Sequence, residues 1–438
     1  MWRNWAGDQR CEPASIERPR STSEVVAAVE SAASKGLRVR ACGGGHSFSD
    51  LVPTEGVLLD LRLMDRVLDV DCAGGLARVE AGITIAELSE QLAPHGLALE
   101  NLGDINVQSI AGAIATATHG TGARLGNISS QVAGVQLVAG DGSVVECPAG
   151  ADPDVLRAAR VSLGALGVLT EVTLRCVPAF TLHGVDRPAP LDETLERLAE
   201  LVDSNEHFEF FSFPHSDVAL TRTNNRTDRE PRRRGAARSW AEDILLENGV
   251  FGVLSRAGRL APGRIPQLNR LVTGLASARS RVDRSDRIFS SPRRVRFTEM
   301  EWAIPRAAVA DAVRGVFELI DRRELQVNFP IEVRFVAGDD ALLSPAAGRD
   351  TGYVAVHMYR GMPWRAYFEQ VEALMVELDG RPHWGKRHFQ TAETLRPRYP
   401  DWDRFQAVRA RLDPDGRFTN DAIERVLGPV EPAAAGAG

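Results

Sequence analysis

Three stretches of this 438-residue chain combine residue types that could do chemistry. Glu332 and Arg334 stand two apart in the apolar run PIEVRF; side chains alternate along a strand, so an acid and a guanidinium share one face there. They could pair only with each other, as a buried ion pair, or polarise a bound hydroxyl group. Lys386 sits in the turn-like segment RPHWGKRH, where aromatic and glycine neighbours could hold an ammonium in place, although a solvated lysine is the ordinary expectation. Gly43, Gly44 and Gly45 follow the strand-like RVRAC and precede His46. Backbone without side chains can pass close to a diphosphate and aim its N–H groups at it, so a nucleotide fits, as does a plain structural turn.

The glycine loop is not a dinucleotide fingerprint of the Rossmann type: Phe48 stands where G-x-G-x-x-G needs its last glycine, and no helix opens there. No G-x-x-x-x-G-K-[ST] loop is present either. A second signal is NLGDINVQSIAGAIATATHGTG, residues 101–122, whose later half is almost free of large side chains. Such backbone could lie against a flat, extended ligand, or let helices pack closely. His383 and His388 lack further carboxylate or cysteine ligands nearby, so no metal is assigned.

The elements that must position these residues fall into two textures. Over the first 180 residues, helices and short strands alternate between tight turns. Ser21 and Glu24 form a capping-box pattern ahead of a helix stopped by Gly36, and Thr84 with Glu87 opens IAELSEQLAPHG in the same way. GVLLDL, DRVLDV and LARVEAG read as strands, and GVQLVAGDGSVVE as a hairpin turning at Asp141 and Gly142. From about residue 178 longer helices such as DETLERLAELVDS alternate with aromatic strands such as HFEFFSFP. The fold class is α+β, with 1–177 expected as one domain, 178–390 as a second, 391–430 returning to the first, and 431–438 a frayed tail.

Composition narrows the function. A net charge of −7 argues against nucleic acid, which needs a basic stripe, and disfavours anionic membranes. The basic cluster REPRRRGAAR, residues 229–238, is therefore expected to be a solvated loop. No apolar run approaches the roughly 20 residues of a membrane span, and MWRNWAGDQRC lacks a signal-peptide pattern, so a cytoplasmic protein is expected. Cys11, Cys42, Cys72, Cys147 and Cys176 are odd in number and scattered, which predicts buried reduced thiols.

GGGHSFSD, NLGDINVQSIAGAIATATHGTG, SLGALGVLTEVTL, RFTEMEWAIP, FPIEVRF, HWGK and DPDGRFTNDAIERVLG occur in an order that resembles the vanillyl-alcohol-oxidase flavoprotein superfamily, and within it the aldonolactone and alditol oxidases. The resemblance runs from near residue 1 to Gly428. It implies a two-domain FAD-binding fold with a substrate-binding cap, and FAD joined covalently through its 8α-methyl to His46. It further implies that Gly43, Gly44, Gly45, Ser47, Ser109 and Gly112 line the cofactor. Ala113, Thr118, His119 and Asp104 would do so too, with Val168 on the adenine side. Gly103 matches a position that leaves room for O₂ beside the flavin. Glu332, Arg334 and Lys386 become the catalytic residues, while Asp104 and His357 fall at substrate contacts where polyol-oxidising relatives carry other residue types. The implied reaction removes hydride from C2 of an aldono-1,4-lactone and reduces O₂ to H₂O₂. A polyol substrate, a cytochrome or quinone acceptor, and a nucleotide-binding module without catalysis are the competing readings.

Overall fold

The glycine loop owes its position to a three-stranded parallel sheet, Ser15–Glu17, Val57–Asp60 and Val39–Cys42, with Val57–Asp60 in the centre. This computed structural model describes residues 1–148, 150–231, 249, 251–291 and 293–431. The helix Thr22–Ser34 covers the sheet with Val25, Ala28, Val29 and Ala32, an i, i+3, i+4, i+7 stripe. Ser21 Oγ accepts the Glu24 amide as expected, but the Glu24 carboxylate accepts the Arg20 amide instead of that of Ser21, so the capping box is not reciprocal. At Thr84 and Glu87 both halves of the box form. Arg40, buried in the strand before the glycines, donates to the carbonyls of Leu51, Leu163, Gly164 and Phe418, tying the loop's base to distant segments.

A five-stranded antiparallel sheet stands beside it in the order Val144–Cys147, Val132–Val138, Val168–Arg175, Leu76–Glu80, Val67–Asp71. The predicted hairpin is its first pair; Asp141 Oδ1 accepts the Ser143 amide and Gly142 takes φ +86°. The helices Trp402–Leu412 and Asp421–Leu427 return to this part of the molecule, burying Phe405, Val408, Ile423 and Val426 in the same core as Val79, Ile110 and Val172.

The remaining large element is an eight-stranded antiparallel sheet, with His207–Ser212, Ile331–Val336, Thr351–Tyr359 and Phe297–Pro305 adjacent in that order. Its two faces differ because side chains alternate. Val333, Val354, Val356, Met300 and Trp302 point to one side and pack with Val313, Val316, Phe368 and Met375 of the helices Val309–Arg322 and Arg365–Glu377. Burying each such side chain stabilises the fold by roughly 1.5–3 kcal/mol. The other face carries the charged residues.

Two further expectations fail. DETLERLAELVDS forms two helices, Leu191–Glu196 and Leu198–Asp203, because Arg197 leaves helical geometry at φ −96°, ψ 14°; the break lets Leu195, Leu198 and Val202 all bury. Cys72 is exposed rather than buried, since it lies in the turn where Asp71 accepts the amides of Ala73 and Gly74. All five cysteines are free thiols, with Cys42 and Cys147 buried and Cys11 and Cys176 only partly so. Residues 232–238 of the basic cluster and 432–438 of the tail lie outside the described residues. No helix among the described residues is long and apolar enough to cross a membrane.

Candidate active site

Two cavities meet at His46, Ser47, Gln108 and Thr116. One is a groove walled by Gly43, Gly44, Gly45, Ser109, Gly112 and Ala115 on one side and Ser162, Gly164 and Gly167 on the other. The loop lies so close on residues 107–109 that its first two positions must be glycine: a Cβ on Gly43 would stand 1.9 Å from Ser109 Oγ, and one on Gly44 2.5 Å from the Val107 carbonyl oxygen. Among the described residues the amides of Gly44, Gly45, His46 and Ser47 have no acceptor. Two buried side-chain oxygens of the groove, Ser49 Oγ and Gln108 Oε1, also lack a partner. Buried polar groups are normally satisfied, so a run of unused donors beside orphaned oxygens fits an extended polar ligand such as FAD.

Of the residues expected beside the cofactor, Asp104, Thr118 and His119 line the second cavity instead, and Val168 and Ala113 line neither. Val168 points to the opposite face of its strand, into the core with Val25 and Leu59, while its neighbours Gly167 and Leu169 line the groove. Ala113 turns inward with Ile110 and Ile114 on the helix Ile110–Ala115, leaving Ala111, Gly112 and Ala115 outward.

The second cavity, about 160 Å³, is floored by the charged face of the large sheet. Gly103, Asp104, Thr118, His119, Glu332, Arg334, His357 and Lys386 all line it, so the predicted catalytic and substrate residues converge. The register shows how. Glu332 pairs across the sheet with Ala355, and Glu299 with His357. Glu301 also pairs with Ala355, so that small residue separates two carboxylates. Arg334 is the hub: its Nε donates to Glu209 at 2.7 Å and its Nη2 binds both Asp104 and Glu332. Arg222 joins Glu209 to Asp186, at 3.4 and 2.6 Å, and Arg293 binds the other oxygen of Asp104. Lys386 Nζ lies 2.5 Å from Glu299 and 3.9 Å from Glu301. His119 reaches Glu301 at 3.2 Å and stacks on Tyr353 with ring centroids 3.7 Å apart.

These contacts give chemically similar groups different proton affinities. Burial would raise Glu299, but the Lys386 ammonium and His357 hold it down at about 2. Glu301 and Asp104 are likewise drawn below the carboxylate range, against burial, by His119 and by Arg334 respectively. At Glu332 burial wins over the pull of Arg334, and the carboxyl rises to about 7. Burial, reinforced by Lys386, lowers His46 to about 4, so its imidazole is neutral at neutral pH. Burial also lowers His383 to about 3, in keeping with its Nδ1 accepting the Gly385 amide. Lys386 stays charged because Glu299 and Glu301 outweigh its own desolvation.

Sequence reasoning missed Glu209, Glu299, Glu301 and Arg293. Glu299 and Glu301 alternate in RFTEMEWAIP just as Glu332 and Arg334 do in PIEVRF, and Glu209 is the lone acid in HFEFFSFP, so the same face argument would have found them. Two acidic groupings have ligand atoms within 4.8 Å of one another: His119 with Glu301 and His383, and Asp104 with Glu209 and Glu332. Lys386 and Arg334 respectively supply the cations these carboxylates face.

A sequence model described as D-arabinono-1,4-lactone oxidase matches residues 172–426, and one described as an FAD binding domain matches residues 13–148. The chain is 52% identical to the L-gulono-1,4-lactone dehydrogenase of Mycobacterium tuberculosis over 98% of its length and 99% of that protein's. It is 35% identical to the L-gulonolactone oxidase of Mus musculus, covering 98% of each. Its fold is shared with the cholesterol oxidase of Brevibacterium sterolicum, at a TM-score of 0.83 and 18% identity over 97% of this chain and 96% of that one.

Proposed function

Because this chain belongs to the D-arabinono-1,4-lactone oxidase family of FAD-binding oxidoreductases, we propose that it oxidises the C2 hydroxyl of an aldono-1,4-lactone such as L-gulono-, L-galactono- or D-arabinono-1,4-lactone. The observation that carries this reading is the junction of the two cavities, which sets a groove suited to an extended cofactor end-on to a buried, charged floor. FAD, held along the groove by the Gly43–Ser47 loop, Ser109 and Gly112, supplies the two-electron acceptor.

The chain's own groups do the rest. Arg334 and Glu332 flank the substrate hydroxyl: the guanidinium polarises its oxygen, and Glu332, poised near 7, takes its proton. A carboxylate held at about 2, as Glu299 is, would be too weak a base for that task. Asp104 and Glu209 keep Arg334 from swinging out, and His357, between Glu299 and Glu332, fixes the floor beside the lactone ring. Lys386, in the charged cavity next to the seam, would supply a positive charge that steadies the cofactor once reduced. Neutral His46, at the seam of the two cavities, is the residue for covalent attachment. In this reading residues 1–177 with 391–430 form the cofactor unit and 178–390 the substrate unit.

Molecular oxygen is the proposed acceptor, reduced to H₂O₂; Gly103 borders the charged cavity and leaves space a methyl would take. The name of the 52%-identical relative, a dehydrogenase, supports a second reading in which another acceptor collects the electrons. Purified enzyme assayed for peroxide against a panel of aldonolactones and alditols decides these points. Peroxide with lactones is expected. Activity confined to xylitol or sorbitol overturns the substrate, and lactone oxidation that needs an added acceptor overturns the role of oxygen.

A further inference from the structure

The first eleven residues form a hairpin, Trp2–Arg3 against Arg10–Cys11, that precedes the segment matched as an FAD binding domain, which begins at residue 13. One buried side chain organises its turn. The Asn4 carboxamide oxygen accepts the amides of Gly7, Asp8 and Gln9 at 2.8, 3.1 and 3.1 Å, and its nitrogen donates to the Ser47 carbonyl at 3.1 Å. The Trp5 amide donates to the Gly45 carbonyl at 2.8 Å, and Gln9 Nε2 to the Phe48 carbonyl at 3.2 Å. The hairpin is therefore fastened to the glycine loop on both sides of His46.

His46 itself has no hydrogen-bond partner on either ring nitrogen among the described residues. What holds its ring is an indole. Trp5 stacks on His46 with centroids 5.4 Å apart and planes 23° from parallel, and both side chains line the charged cavity. Trp5 is braced in turn by edge contacts to Phe48 and Phe297, at 6.4 and 5.6 Å. An imidazole can reach one particular carbon only if both its side-chain torsions are fixed, and stacking fixes the ring plane without consuming a nitrogen lone pair.

We propose that Trp5 is a positioning residue for His46: the N-terminal hairpin holds the imidazole facing the cavity, so that covalent attachment of the cofactor depends on a side chain outside the FAD-binding segment. This rests on the reading of His46 as the attachment residue. Attachment joins an imidazole nitrogen to the 8α carbon. One N–H and one C–H proton are released, and the bonding change leaves two electrons on the cofactor, which O₂ then removes as H₂O₂.

The test compares full-length wild type, Trp5→Ala and Trp5→Phe. Flavin retained after acid precipitation measures attachment, and histidine ring resonances of the cofactor-free proteins, assigned with His46→Gln, report the ring's surroundings. We expect Trp5→Ala to bind FAD yet attach it about ten-fold more slowly or worse, with displaced His46 resonances, and Trp5→Phe to restore both. Wild-type attachment in Trp5→Ala, or unmoved resonances, overturns the proposal. Should wild type release all its FAD, His46 is not the attachment residue, and the resonances alone decide: displacement reversed by Trp5→Phe upholds positioning, no displacement overturns it. If Trp5→Ala does not fold, Asn4→Ala loosens the hairpin with the indole intact and is read in the same way.

Discussion

Replacing Glu332 with glutamine should trade activity for stability, and the size of the trade can be worked out. Burial lifts this carboxyl from 4.5 to about 7. At about 1.36 kcal/mol per unit, the ionised form is disfavoured in the folded protein by about 3 kcal/mol. The sign follows from linkage: the folded state binds this proton more tightly than the unfolded chain. The group's contribution is therefore favourable below about 4.5 and is lost as pH rises to about 7. Glutamine keeps the shape and the link to Arg334 but cannot ionise. Urea unfolding of FAD-loaded wild type and Glu332→Gln at about pH 5 and about pH 8 should show the difference moving in the variant's favour by up to about 3 kcal/mol. Over the same range wild-type kcat/KM for lactone should rise as Glu332 deprotonates near pH 7, while the variant loses about 10²–10⁴-fold and has no such limb. A stability difference that does not change with pH, or a wild-type profile flat through neutrality, refutes the assignment.

Lys386→Met strips Glu299 and Glu301 of their shared cation, leaving buried acids that cost about 3–5 kcal/mol unless they protonate. A lowered Tm with FAD still bound and turnover reduced about 10²-fold or more is expected, and unchanged turnover contradicts the role. Gly44→Ala puts a methyl 2.5 Å from the Val107 carbonyl and should weaken FAD binding, measured by flavin fluorescence quenching; undiminished affinity removes the groove from the account. In Gly103→Ala the new methyl meets the His119 carbonyl at 3.1 Å. Anaerobic reduction by lactone should proceed as before and reoxidation in air should slow, both followed by stopped-flow absorbance.

Local pattern made much of this legible. Two-residue alternation put Glu332 and Arg334 on one face, and that is where they lie, because a sheet with helices on one side leaves the other for polar work. The glycine loop and the small-residue stretch are legible because close packing of the loop on residues 107–109 leaves no room for side chains at Gly43 and Gly44, which is visible as composition. What stayed hidden depends on pairing between distant segments. Arg40 gathers carbonyls from residues 51, 163, 164 and 418, and nothing in RVRAC announces that. Asp104 is placed at the site only by resemblance, and nothing in NLGDIN shows that Arg334 and Arg293 meet it across 230 and 189 residues. Val168 and Ala113 were misplaced for a subtler reason: the right segments were identified, but one residue's step along a strand or helix turns a side chain from groove to core. The division of carboxyls into one near 7 and others held low follows from how far the cations beside each offset its burial, and contacts between distant segments set that balance.

FAD bound in the glycine groove is expected to receive electrons from a lactone seated on the charged floor. Anaerobic mixing of the FAD-loaded protein with L-gulono-1,4-lactone tests it most directly. Loss of the oxidised flavin's visible absorbance, at a rate that saturates with lactone and collapses in Glu332→Gln, is the predicted result. An absorbance unchanged by any aldonolactone, or a folded protein that refuses FAD, would contradict it.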